Sequence, residues 1–151
     1  MPAYPFRPKS ALALTKGDFW AVPLKDGSFG CGLFLEHHSP GKAGARMIFW
    51  GGLLDCKTKK LPTHHDVLTA RLIEEGEMHI AAIHDCDSDI LGNIDLDPTR
   101  HTMRETFQAG QIYRGYEHLR SASVDDAKQM YRRSTWGRQV IQIYANRHLV
   151  D

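Results

Sequence analysis

The chain has 151 residues, 42% of them hydrophobic and 25% charged, the balance of an ordinary globular domain, which excludes a disordered or collagen-like polymer. The formal net charge of +1 and a pI near 7.8 are too near neutral for nucleic acid to lead as a partner. Three cysteines, Cys31, Cys56 and Cys86, an odd number without C-x-x-C spacing, argue against a disulfide framework and a structural zinc cluster and make the cytoplasm the expected compartment. No export leader is expected from MPAYPFRPKS, and no window approaches the roughly 18 apolar residues of a membrane-spanning helix.

Residues 1–15 read as an extended arm, because Pro2, Pro5 and Pro8 push their neighbours away from helix, and residues 16–151 read as one α+β domain. In Lys16–Leu35, KGDFWAVPLKDGSFGCGLFL, the apolar run Phe19–Leu24 predicts a strand entering an Asp26-Gly27 hairpin turn of type I′. The returning arm carries Gly30 and Gly32 on one face, which predicts a bent strand with a bulky neighbour such as Trp20 lying over the glycines. Pro23 cannot donate to a ladder and must face an edge or a bulge.

His37–Gly44 reads as loop, and Ala45–Trp50 as a third strand ended by Gly51-Gly52. Residues 55–62 form a basic polar connection. Thr63 and Asp66 nearly match a capping box, so the apolar stripe after them predicts a helix over His64–Glu75 stopped by Gly76. Met78–His84 then reads as a buried strand. Residues 85–110 read as a long loop with one short strand near Ile94, and Gln111–Leu119 as a strand bent at Gly115. Ser123 with Asp125 and Asp126 opens a final helical unit with Val124, Ala127, Met130 and Tyr131 on one face. Ser134–Gly137 interrupts that unit, and Trp136, Val140, Ile143 and Tyr144 mark a second stripe. The expected fold is therefore α+β: a bent antiparallel sheet or partial SH3-like barrel with two to three helices and a C-terminal helical unit.

The residues Gly17, Asp18, Phe19, Ala21, Pro23, Leu24, Asp26, Gly27, Gly30 and Gly32 resemble the opening of the immunity protein 26 family of bacterial polymorphic-toxin systems. Its members begin with Gly-Asp, a strand ending in Pro-Leu, an Asp-Gly turn and a strand with spaced glycines. The likeness covers about twenty residues. The family's later Trp has no counterpart in Glu77-Met78-His79-Ile80. The resemblance implies a cytoplasmic protein that neutralises a cognate toxin and has no chemistry of its own. The alternative is a ribonuclease or RNA-binding module on a small β-barrel.

The charge is unevenly distributed: residues 61–97 hold one basic and nine acidic residues, while both flanks are basic. Either these charges pair within the fold, or Glu74, Glu75, Glu77, Asp85, Asp87 and Asp89 form a contact region for a basic toxin. Asp85-Cys86-Asp87-Ser88-Asp89 begins like a calcium loop, but Ile90 stands where Gly is needed and Leu96 where a bidentate Glu is needed. His79, His84 and Cys86 do not converge on one strand face, so no zinc site is expected. No nucleophile elbow occurs, and GSFGCG lacks the helix and Lys-Ser/Thr of a phosphate cradle. No catalytic, cofactor or metal residue is assigned. Lys57, Lys59, Lys60, Arg132, Arg133 and Arg138, with Tyr113, Tyr116, Tyr131 and Trp136, are the residues a nucleic-acid surface would use.

Overall fold

The glycine-bearing hairpin forms and lies in the middle of a sheet. In the computed structural model, which describes residues 3–39 and 41–151, β1 (Asp18–Pro23) pairs antiparallel with β2 (Phe29–His37). Pro2 of the expected arm and Pro40 of the expected loop lie outside the described residues. The chain continues through β3 (Ile48–Thr58), α1 (His64–Leu68), β4 (Leu72–His79), α2 (Ala81–His84) and β5 (Ile90–Asn93). Then come β6 (Glu105–Gln108), β7 (Gln111–Arg114), β8 (Glu117–Ser121), α3 (Val124–Gln129), β9 (Tyr131–Arg132), β10 (Thr135–Trp136) and α4 (Val140–Leu149). One open sheet has the order β10-β4-β3-β2-β1-β5 and a second the order β8-β7-β6-β9. The α+β reading holds, with open, bulged sheets rather than a closed barrel.

The hairpin turn is a correction. The Leu24 carbonyl accepts from the Gly27 N–H at 3.0 Å while the Leu24 N–H donates to the Ser28 carbonyl at 2.9 Å. Those bonds enclose three residues, and Gly27 takes the left-handed position at φ +87°, a type I turn with a bulge in place of type I′. Asp26 instead accepts from the Ser28 N–H at 3.0 Å and pairs with Lys57 at 2.8 Å, which holds its carboxyl well below the usual range. Trp20 lies over one of the two glycines: it pairs with Gly32, where a Cβ would fall 2.2 Å from its ring, whereas Gly30 is covered by Leu149 and Ala145 of α4. Pro23 pairs with Phe29 on one side, and β5 pairs only with Asp18 to Trp20 on the other.

Gly51 and Gly52 do not end the third strand. They lie inside β3, where side chains would strike Met78 and Phe49 in one case and Leu72 and the Glu74 carbonyl in the other. The capping box forms at Thr63 and Asp66, but α1 stops at Leu68. Residues 72–79, expected as helix and then strand, form a single strand on β3, because pairing along a whole neighbour outweighs a short helical stripe. Gly76 is not a helix stop; it lies under Trp136. Ile80 to His84, expected as strand, turns into α2. Gln111–Leu119 divides into β7 and β8 at Gly115, whose φ of +57° suits the first central position of a two-residue turn.

Alternation along the strands puts apolar groups on both faces of the main sheet. Trp20, Val22, Phe34, Phe49, Leu53, Met78 and Trp136 face α2, α4 and the N-terminal segment. Phe19, Cys31, Leu33, Leu35, Trp50 and Leu54 face α1 and the loop around Ile94. Residues 3–15 lie against the first of these faces: Ala11 and Leu14 are buried, and Phe6 bridges to Ile90. The final helices differ from the stripes expected. The Ser123 capping box forms, yet α3 buries no residue and Val124 and Tyr131 are exposed. In α4 the buried positions are Ile141 and Ala145, while Ile143 faces solvent and Trp136 belongs to β10.

Candidate functional site

Each of the six carboxylates singled out by charge lies beside a basic partner. On β4, Glu74 is 3.1 Å from His148 Nε2, and Glu77 is 3.8 Å from Arg133. Glu75 lies between them in sequence with a side chain only 3% exposed. It accepts from the Arg104 N–H at 3.1 Å on both oxygens and from Trp50 Nε1–H at 3.3 Å, with Arg104 Nε at 3.6 Å. Asp85 takes both Nε and Nη2 of Arg138, at 2.9 and 2.7 Å, which lowers its pKa. Asp87 and Asp89 share Arg7 at 3.2 and 2.9 Å. Pairing within the fold therefore absorbs most of this charge. The six do not make one surface: Glu75 and Glu77 turn to one side of β4, Glu74 to the other, and Asp85, Asp87 and Asp89 sit at the N-terminal segment and α4. Asp87, 93% exposed, is the freest of them.

Where the two sheets meet, the structure builds a box that periodicity could not show. The Arg133 guanidinium, 13% exposed, lies 5.1 Å from the Trp50 ring, 5.0 Å from Tyr113 and 5.2 Å from Tyr116. Tyr116 also stacks on His38 at 4.5 Å with rings 2° from parallel, and its N–H donates to Glu36 at 3.1 Å. A cation over several aromatic faces with a carboxylate behind it is an internal fastening, since the rings supply negative faces where water is excluded. Burial raises the pKa of Glu75 and of Glu36 against their donors, and raises Tyr116 through burial first and then the charge of Glu77.

Beside this box a cleft of about 240 Å³ opens between β4, β6, β9 and α4. Arg104, Arg132, Arg147, Thr106, Tyr131 and Ser134 line it. Arg104 lies 4.3 Å from the Tyr131 ring and donates to the Ile73 carbonyl at 3.0 Å; Arg147 lies 5.3 Å from Tyr144. A larger open hollow, about 560 Å³, is lined by Leu12, His37, His38, Lys42 and Arg46. Of the basic residues considered for nucleic acid, Lys57 is paired with Asp26, Arg138 with Asp85 and Arg133 with Glu77, while the Arg132 guanidinium lies 5.9 Å from the Phe107 ring, on the face of the small sheet away from Tyr131.

Arg104, Thr106 and Arg147 were not legible as site residues. The first two fall in the stretch that reads as loop, and the last on a helix whose apolar stripe drew attention instead. Among the described residues no three His, Cys, Asp or Glu side chains converge as metal ligands. His84 Nε2 lies 2.8 Å from the Pro8 carbonyl, and His79 Nδ1 accepts from the Ala81 N–H at 2.9 Å. All three thiols are buried, which pushes Cys56 up to about 11, Cys86 up to about 12 and Cys31 well above its ordinary value. Among the described residues no helix is long and apolar enough to cross a membrane. Compared with protein-family models, curated proteins and solved structures, the chain matches none.

Proposed function

We propose that the chain is an immunity protein of the polymorphic-toxin kind, binding a cognate toxin through its exterior and silencing it by occlusion. The observation that carries this reading is the role of the residues that resemble the immunity family: Gly17, Asp18, Gly27 and Gly32 serve the scaffold. Gly17 (φ +91°) leaves room for the Ile94 carbonyl, which a Cβ would meet at 1.9 Å. Asp18, fully buried, accepts from Tyr4 Oη at 2.6 Å, the Thr15 N–H at 2.9 Å and Asn93 Nδ2 at 2.9 Å. Gly27 closes the turn, and Gly32 makes room for Trp20. Residues committed to packing leave recognition to the exterior of a rigid scaffold, as an occluding surface requires.

The partner fitting this reading is a basic toxin, met at Asp87 and Asp89, the most exposed of the six carboxylates, because charge of opposite sign speeds capture. Co-expression with the toxin encoded by a neighbouring reading frame is the test. Restored growth and a complex that co-elutes on gel filtration are the expected results. Asp87→Asn with Asp89→Asn should then slow association and flatten its salt dependence while leaving the thermal midpoint nearly unchanged. Failure to rescue growth, or cleavage of RNA by the purified chain alone, would overturn the proposal.

A further inference from the structure

We infer that the open hollow lined by Leu12, His37, Lys42 and Arg46 is a docking surface for an acidic segment of a protein partner, one that carries an apolar side chain among its carboxylates. This goes beyond occlusion of a toxin: it uses none of the residues assigned to that contact and does not rest on that reading.

Charge supplies the first observation. Residues 1–17 and 37–54 contain Arg7, Lys9, Lys16, Lys42 and Arg46 and no acidic residue. The fold brings the two stretches together, since the Ala11 N–H donates to the Arg46 carbonyl at 2.6 Å. Arg7 is answered by Asp87 and Asp89, whereas among the described residues neither Lys42 nor Arg46 has a carboxylate within ion-pair distance. Glu36, just before the hollow in sequence, is committed elsewhere: it accepts from the Tyr116 N–H at 3.1 Å, while His37 points to the other face of β2 and packs on Phe34 at 4.7 Å. The second observation is apolar. Leu12, 53% exposed, lines the hollow with Ala45, and Met47, which follows Arg46, is 41% exposed. Apolar side chains left in water beside two unanswered cations complement an amphipathic segment of negative charge. The third observation is size: about 560 Å³, open to solvent, has room for an apolar side chain together with its flanking backbone.

The lining separates this occupant from others. Among the described residues no Phe, Tyr or Trp lines the hollow, so it lacks the stacking platforms of a nucleic-acid groove, and two free cations are few for a polyanion. A bare inorganic anion would answer the cations and leave Leu12 in water. A peptide with a leucine between carboxylates does both, covering Leu12 and Ala45 while its charges meet Lys42 and Arg46.

The test is nuclear magnetic resonance of the nitrogen-15-labelled full chain, titrated with the capped peptide Asp-Glu-Leu-Glu-Asp at low and at physiological salt. Saturable shifts are expected at the amides of His37, Lys42, Ala45 and Arg46, weakening as salt is added. The same peptide with serine in place of leucine should bind about fivefold more weakly or worse, and a Lys-Lys-Leu-Lys-Lys peptide should not move these amides. Lys42→Ser with Arg46→Ser should weaken the acidic peptide by about fivefold or more, and Leu12→Ser by about threefold or more. All three side chains are exposed, so the thermal midpoint should stay within about 2 °C of the parent. Absence of shifts at these amides up to about 5 mM acidic peptide would overturn the inference. So would acidic and basic peptides binding alike, the serine peptide matching the leucine one, or the double variant binding as the parent does. Inorganic phosphate moving the same amides as tightly as the peptide would also overturn it, making the hollow a bare anion site. A single-stranded oligoribonucleotide binding there about a hundredfold tighter with a steep salt slope would overturn it too, in favour of a nucleic-acid surface. No arm of the experiment contains a toxin, so its result and that of the growth-rescue test are read separately.

Discussion

Gly32→Ala tests the central packing claim directly. A Cβ at this position would lie 2.2, 2.3 and 2.8 Å from Cε2, Cζ2 and Nε1 of Trp20, inside any real contact distance. The indole has nowhere to go: it is fully buried and meets Phe49 edge-on at 6.1 Å and 88°. Either the ring leaves its rotamer or β1 and β2 move apart, so the cost belongs at the top of the overpacking range, about 3 kcal/mol. For a chain of this size, that lowers the thermal midpoint by about 6–12 °C. With a urea slope near 2 kcal/mol/M, the chemical midpoint falls by about 1.5 M. Equilibrium unfolding followed by tryptophan fluorescence and by far-ultraviolet dichroism measures both. Trp20→Leu, which vacates the overlapping space, should make the added methyl cheaper, so the double variant should show a coupling of at least about 1 kcal/mol. A loss below about 0.5 kcal/mol for Gly32→Ala would refute the reasoning, because a locked neighbour cannot absorb a methyl so cheaply.

Arg133→Ala removes the cation from the Trp50, Tyr113 and Tyr116 rings and leaves Glu77 without its partner; a destabilisation of about 2 kcal/mol is expected in urea unfolding. Arg133→Lys should recover less than half of that, because an ammonium lacks the planar fork. Burial raises the pKa of Glu75, so the folded state holds that proton more tightly than the unfolded chain does, and this carboxyl's contribution to stability falls as pH rises from about 4.5 through the folded value. Glu75→Gln, which has no such proton to lose, should therefore gain on the parent over that interval in urea midpoints taken from about pH 4 to 7; a difference that stays constant would contradict the assignment. The three thiols should resist an aromatic disulfide reagent at pH 8 in the native protein and all react once urea is added, since each is buried and its pKa is raised.

The hairpin was legible because its cues are local: Pro23, the Asp26-Gly27 pair and the glycines of β2 each restrict the backbone where they stand. The near capping box at Thr63 and the helix start at Ser123 were legible for the same reason. What could not be seen was decided at a distance. The helical stripe from Val67 to Leu72 was expected to carry a helix on to Glu75, and only the presence of β3 beside residues 72–79 makes that stretch a strand. The acidic segment was visible as a count, but its pairing depends on Arg7, Arg104, Arg133 and Arg138, which lie far away along the chain. The cleft draws one residue or two from each of several elements, a pattern with no period to detect.

The short run from Tyr131 to Trp136 joins both sheets, adding β9 to one and β10 to the other through parallel pairings. Its position late in the chain imposes an order of events during synthesis. The first hairpin is made early, yet the Leu149 and Ala145 side chains that cover Gly30 arrive only after every strand of both sheets has been made. A chain halted near residue 123 would present an uncovered apolar sheet and a loose small one, with β4 exposed as a bare edge ready to pair with a neighbouring copy. Removing the last thirty residues should accordingly yield aggregates, where trimming a terminal appendage would leave a smaller soluble protein.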